Sequence, residues 1–302
     1  MAQVKKKSHL NESRGDRVFH IINILFLLLC FVVIAIPLLN VISQSVSSPK
    51  AVIAGRVSIW PVDFNFDAYK QIFKNALLLR GYLNSILYTV LGTAINLVLT
   101  VMAAYPLSRK DFAGRNIFMG MFVFCMVFTS PLIPVYLNIK DFGMLNSIWA
   151  MVIPGAISVY NMIIARTFFQ NSIPDEMFEA AELDGASDIT ILLRMVLPLS
   201  KSILAVLVLF YAVGHWNAYF DGLIYLSSQE KFPLQVVLRN ILNNAAALSE
   251  MSNAGGDQSQ NLALVEVLKY AIIVFGSLPV LILYPFVQKH FVKGVMIGSV
   301  KG

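Results

Sequence analysis

Charge is scarce in this chain of 302 residues: Asp, Glu, Lys and Arg make up 13% of it, against about 25% in an ordinary soluble domain. That shortage excludes a typical water-soluble enzyme. Cysteine is rarer still. Cys30 and Cys125 both lie inside apolar runs, where a thiol behaves as a small hydrophobe, and no disulfide framework follows. The four histidines, His9, His20, His215 and His290, have no cysteine nearby and none of the spacing that holds zinc, so no metal site is expected. Ser and Asp form no nucleophile–base constellation of the kind hydrolases need. The phosphate-cradling loop Gly-x-x-x-x-Gly-Lys-[Ser/Thr] is also missing. If the process is driven by ATP, the nucleotide binds on another chain. The net charge of +6 is spread between apolar runs rather than gathered into a stripe that tracks phosphates, which excludes nucleic acid.

What is abundant is apolar surface, with 57% hydrophobic residues and a mean hydropathy of +0.71. No core of this size hides that much, so the remainder faces lipid. A bilayer core about 30 Å thick needs roughly 20 helical residues, and six runs reach that length: 18–42, 83–107, 116–139, 145–165, 202–226 and 270–288. The runs are continuous rather than alternating, so they read as helices and not as strands of a barrel. The expected fold class is an all-α membrane protein with six transmembrane helices. Four of the six hold no Asp, Glu, Lys, Arg or His, while of these the first holds only His20 and the fifth His215 and Asp221. Lys5, Lys6 and Lys7 precede the first run in the manner of a signal peptide, but its apolar length exceeds a cleavable core and no small-residue cleavage site follows. It is expected to be a retained span.

Sidedness follows from the Lys and Arg in the connections. The tail 1–17, the short loop 108–115, the loop 166–201 and the segment after 288 together hold 14, whereas 43–82, 140–144 and 227–269 hold 9 in more residues. Both termini and the loop 166–201 are therefore expected in the cytoplasm, with 43–82 and 227–269 outside and the polar stretch 252–261 as a flexible external tip. Pro37, Pro106, Pro131, Pro134, Pro154, Pro279 and Pro285 fall within the runs. They either kink helices around a moving path or reflect the ordinary enrichment of proline in membrane helices.

The segment 175–188 packs six of the seventeen acidic residues into fourteen positions. Pro174 suits a first helical position, Asp175 and Glu176 suit the positive end of the helix dipole, and Gly185 suits a left-handed stop. Glu176, Glu179 and Glu182 recur every third residue and share one flank, while Met177, Phe178 and Ala181 offer an apolar flank for docking. Ser187 can cap a second short helix through Ile191, Leu192 and Met195, until Leu197-Pro198 leads into the fifth run. Helix, glycine elbow and second helix make a protrusion shaped for a cleft in another protein. A solvated or membrane-surface helix is the plainer reading, but anionic inner-leaflet lipid repels an acidic face.

Glu179-Ala180-Ala181, Asp184-Gly185-Ala186 and, after the appropriate gap, Leu197-Pro198 resemble the EAA loop of permease subunits in binding-protein-dependent ABC importers, with Met195 where isoleucine is usual. The segment Trp60-Pro61, Phe64, Phe66, Tyr69 and Gly81 to Ser85 is similar to the region before the second span in sugar permeases of the maltose and multiple-sugar type. His215-Trp216-Asn217-Ala218-Tyr219-Phe220-Asp221 resembles the Trp-Asn motif of that group, in the form found in lipoprotein-dependent oligosaccharide or polysaccharide importers. The resemblance implies a type I importer permease fold. It also implies a second homologous permease subunit, usually different, although a homodimer stays open. Two ATPase subunits carrying ATP and Mg²⁺, an external solute-binding lipoprotein or periplasmic protein, an oligosaccharide cargo and residence in the bacterial cytoplasmic membrane complete the implied assembly. By the same resemblance, the coupling helix that enters a groove on the ATPase carries Glu176, Glu179, Ala180, Ala181, Glu182, Asp184, Gly185 and Ala186, with Leu197 and Pro198 after it.

Phe210, Gly214, Asn217 and Asp221 follow helical spacing and form one stripe in the fifth run, and an intramembrane carboxylate calls for a cavity or a partner. Trp216 and Tyr219 suit stacking on a sugar ring, with Asn217 and Asp221 bonding hydroxyls. The same aromatics suit an interfacial belt, with Asp221 paired to His215 or capping the span end. A permease for a non-sugar solute stays open. An ion-coupled transporter fits less well because ionisable residues are missing from most spans, and a membrane-embedded enzyme or scaffold lacks a site.

Overall fold

The computed structural model describes residues 13–252 and 259–298, all of whose regular elements are helical. The Lys5–Lys7 start and residues 253–258 of the expected polar tip lie outside the described residues. Two compact units are present, 1–70 with 248–274, and 71–247 with 275–302.

In the first unit, α1 (Arg14–Ser45) opens with a capping box in which Ser13 accepts from the backbone and Asp16 reaches back to the Ser13 amide. Its apolar side chains stay exposed throughout, and none of the most hydrophobic stretch is buried by the chain itself. The short α2 (Pro49–Ile53) follows, capped by the Ser48 hydroxyl. The region 43–82, expected as a loop, also holds α3 (Asp67–Lys74) and the first turns of α4 (Ala76–Ser108), whose cap is Asn75.

The second unit is organised around α4. Arg115–Val127 (α5) and Leu132–Asp141 (α6) replace the continuous third span, meeting at 113°. Pro131 supplies no amide donor and disfavours helix in the residue before it, which ends α5 early. The fourth span is likewise two pieces, α7 (Trp149–Val152) and α8 (Val159–Ser172), separated at Pro154-Gly155, where Gly155 takes φ +70°. The acidic segment forms α9 (Asp175–Leu183), followed by α10 (Asp188–Ile191), a π-turn at Leu192–Val196 and the single turn α11 (Leu197–Leu199). At Ser200 the path bends by 83° into α12 (Lys201–Trp216). The fifth span then breaks at Asn217-Ala218 before α13 (Tyr219–Tyr225). Between 227 and 269, expected as a loop, stands α14 (Leu234–Ser252), and α15 (Ser259–Gly298) contains the sixth run.

Among the described residues, three helices are thus long and apolar enough to cross a bilayer unbroken, and up to five if each bent pair counts as one. The main core of the second unit joins Ala104, Met162, Phe169, Ile173, Val196 and Leu207, binding α4, α8 and α12 to the acidic segment.

Candidate functional site

The protrusion is built as its punctuation dictates. Pro174 stands in extended backbone one position before α9 rather than as its first helical residue and makes no side-chain cap, Asp175 and Glu176 lie in the first turn, Gly185 takes φ +77°, and the Ser187 hydroxyl accepts from the Thr190 amide. Gly185 meets nothing within 4 Å of where a Cβ would stand, so its glycine is required by the backbone alone.

The two flanks of α9 divide differently from the sequence expectation. Phe178 is buried and packs into the core beside Phe169, Ile173 and Ile191, so it anchors the helix to its own chain instead of facing a partner. Arg109, at the end of α4, lies over its ring with Cζ 4.2 Å from the centroid. The same guanidinium pairs with Asp111 at 3.0 Å and with Glu182. Burial works against the Arg109 charge, and Asp111 and Glu182 overcome it, so the proton is held more tightly than in water. Lys110 pairs with Asp175 between exposed side chains. Glu182 and Asp175 are thereby engaged within the chain, whereas Glu176, Glu179 and Ala180 are exposed and neither glutamate has an ion pair among the described residues. Ala181 and Ala186 pack on the core, Asp184 and Pro198 are exposed, and Leu197 is half-buried.

Two clefts flank Arg109. One of about 300 Å³ is lined by Lys110, Asp175, Phe178, Glu179 and Glu182. The other, of about 600 Å³, is lined by Tyr105, Pro106, Phe112, Asp188, Ile189 and Leu192. Leu183, 89% exposed, and Ile189 present apolar side chains at the elbow. Arg109, Lys110 and Leu183 were not singled out from sequence. The short basic loop 108–115 counted only towards sidedness, and nothing in a 3.6-residue period says that its cations close on α9.

The fifth span carries a buried polar seam against α4. Asn96 Nδ2 lies 3.2 Å from His215 Nε2, and Thr100 Oγ1 lies 2.6 Å from the Tyr211 hydroxyl, which also accepts from the Ser158 amide at 3.4 Å. Trp216 is buried, donating from Nε1 to the Gly276 carbonyl at 3.0 Å and meeting the Tyr82 ring edge-on, so its face is occupied by its own chain. Asn217 is exposed and turns its amide back to the Val213 carbonyl. Because the helix breaks after Asn217, Gly214 and Asn217 share a stripe but Asp221 belongs to the next helix. Tyr219 lies under Arg239, whose Cζ is 4.8 Å from the ring centroid, and Arg239 has no ion pair among the described residues. That contact depends on how α14 is seated. Its Leu234 amide donates to Ser85 Oγ at 2.8 Å, and Gly81, Gly222 and Gly276 each leave room for one of its first residues.

At the other end of the second unit, Asn84 and Tyr88 bond the Glu230 and Lys231 carbonyls, and Asn146 bonds Ser228 and Tyr225. Arg80, in 43–82, pairs with Glu230, in 227–269, at 3.2 Å, so these two segments expected on one side of the membrane meet, as 108–115 and 173–191 do.

Bent apolar helices that carry an acidic helix–elbow–helix protrusion fit a membrane transport subunit, and similarity to known proteins gives the family. Residues 96–297 match the family of binding-protein-dependent transport system inner membrane components, and the chain belongs to that family. It is a membrane permease subunit of an ABC importer, a transport subunit whose family leaves ATP hydrolysis to other chains. It is similar to Protein LplC of Bacillus subtilis (strain 168), 41% identical over 97% of this chain and 98% of the relative. It is also similar to the polygalacturonan/rhamnogalacturonan transport system permease protein YtcP of the same organism, 39% identical over 95% and 99%. Among solved structures, a chain of a bacterial ABC transporter involved in the import of the acidic polysaccharide alginate superposes with a TM-score of 0.81 at 35% identity, over 93% of this chain and 99% of that one.

Proposed function

We propose that this chain is one half of the translocation path of a bacterial oligosaccharide importer, coupled to a separate ATPase through α9. The supporting observation is the acidic flank of α9: Glu176 and Glu179 are exposed and have no ion pair among the described residues, while Phe178, Arg109 and Glu182 clamp the other flank to the permease. A helix held rigidly from behind and charged in front transmits a push. Six spans follow if α5–α6, α7–α8 and α12–α13 each cross once, with both termini and α9 in the cytoplasm as the Lys and Arg distribution favours. The assembly comprises a second permease subunit, two ATPase subunits holding ATP and Mg²⁺, and a solute-binding lipoprotein or periplasmic protein that delivers cargo at the cytoplasmic membrane. Nucleotide and cargo then act on a two-state equilibrium by binding one state better than the other.

The cargo reading is an oligosaccharide bearing carboxylates. YtcP, named for polygalacturonan and rhamnogalacturonan, and the transporter of the acidic polysaccharide alginate support it, as does Arg239, a guanidinium over the Tyr219 ring with no ion pair among the described residues. Asp221 comes two positions after Tyr219, about 200° around a helix, and so leaves that flank.

Glu179→Lys tests the coupling. In the reconstituted importer, cargo-loaded binding protein is expected to stimulate ATP hydrolysis in the wild type and to lose that effect in the variant, with membrane insertion intact. Normal uptake by the variant overturns the assignment.

A further inference from the structure

The segment 57–65 is fastened to the C-terminal end of α1 by hydrogen bonds spread over 40–48. Asn40 Nδ2 donates to the Ser58 carbonyl at 2.9 Å, and the Ser43 hydroxyl donates to the Ile59 carbonyl. The Val62 amide donates to Ser47 Oγ at 3.0 Å, and the Ser48 amide donates back to the Val62 carbonyl at 3.1 Å. The Asn65 amide donates to the Val46 carbonyl at 2.8 Å, and the Tyr69 hydroxyl meets Ser45 Oγ at 2.9 Å. Ser43, Ser45 and Ser47 are buried under this strap. The height of the strap along α1 is therefore set.

That height can be read against the bilayer. The apolar run 18–42 of α1 is about 37 Å long at 1.5 Å per residue, a little more than the hydrocarbon core of about 30 Å. The strap meets α1 where that run ends and the serines begin, which is the boundary between hydrocarbon and headgroups. At this level the strap presents large aromatics to the outside. Trp60 is 80% exposed and Phe64 63% exposed, and Phe64 stands edge-on to Phe66, itself exposed, at 4.8 Å. The surface is continuous with the exposed apolar side chains of α1. Exposed basic residues, Lys50 and Arg56, accompany it, and neither has an ion pair among the described residues.

We infer that Trp60 and Phe64 form an interfacial lipid anchor, seated among the headgroups of the leaflet at the C-terminal end of α1, with Lys50 and Arg56 meeting lipid phosphates. Amphipathic aromatic rings prefer that layer, and cations are drawn to anionic headgroups there. A docking face for the solute-binding protein would have to rise clear of the membrane, whereas six hydrogen bonds hold these rings down at its rim. The charge count makes this the outer leaflet. The depth itself does not rest on that orientation or on the identity of the cargo.

The test is depth measurement by spin labelling in the complete importer, in nanodiscs of phosphatidylethanolamine and phosphatidylglycerol. Trp60→Cys and, separately, Phe64→Cys are made in a chain whose Cys30 and Cys125 are serine. Each nitroxide is expected to show severalfold higher relaxation by oxygen than by a water-soluble nickel chelate, relative to the same label free in buffer. Saturating solute-binding protein is expected to leave both values unchanged. Nickel access equal to that of the label in buffer overturns the inference, because the rings then stand in water. Loss of access to both reagents also overturns it, whether on adding the binding protein, which makes the patch its dock, or before adding it, which makes the patch a subunit contact. Two positions guard against one variant failing to assemble.

Discussion

Gly92 and His215 show how tightly α4 and α12 are matched. A Cβ on Gly92 would stand 2.4 Å from His215 Nε2, so the imidazole occupies the space that any other residue would fill. Gly92→Ala must expel the ring from its contact with Asn96, leaving a buried amide without that partner. The expected cost is about 1–3 kcal/mol, the usual range for overpacking a filled site. It should appear as lower thermal stability of the purified complex. His215→Ala in the same chain makes room, so the double variant should be less destabilised than the sum of the singles. Additive losses would show that the two residues do not compete for one space. His215 was legible in sequence only as a histidine in an apolar run. Its partner Asn96 is 119 positions away, beyond the reach of any local period.

At the scale of elements, α9 depends on a residue outside its own segment. Arg109 combines a stacked contact with Phe178 and an ion pair with Glu182, and its side chain is only 13% exposed. Arg109→Lys keeps the charge but loses the flat guanidinium that covers the ring. About 1–2 kcal/mol of cation–π and packing stabilisation should be lost, read as looser α9 amides in hydrogen exchange and weaker stimulation of ATPase by cargo. Unchanged protection of α9 would remove Arg109 from its role as clamp. The helix itself was readable, since Gly185 and Ser187 do what their backbone chemistry predicts and Pro174 falls one residue short of its expected place. Which flank turns inward was not readable, because Phe178 and Leu183 are both apolar and only the core beneath decides between them. The breaks at Pro131 and Pro154-Gly155 had visible residues, but span length alone outweighed them in the sequence reading. Proline near the middle of an apolar run leaves hydropathy untouched while ending the helix.

For the whole molecule, the proposed cargo reading is tested at Arg239, which lies over Tyr219. Arg239→Gln should weaken uptake of uronic acid oligosaccharides, raising the apparent KM about tenfold, the equivalent of one charge-assisted hydrogen bond of roughly 1.5 kcal/mol. Neutral oligosaccharides should be unaffected. Equal effects on both cargoes would place Arg239 in the seating of α14. Asn217→Ala with Asp221→Ala should change uptake kinetics without altering capture of the ATPase, and unchanged kinetics would leave both residues as parts of the helix break.

Helix α1 has one further property. Among the described residues, none of its most hydrophobic stretch is buried, so those residues impose no jigsaw on it. Shuffling the order of its leucines, isoleucines and phenylalanines within 18–39, at constant composition, leaves this polypeptide indifferent. Any defect that such a scrambled version shows in a cell reports on a neighbour that reads the original order.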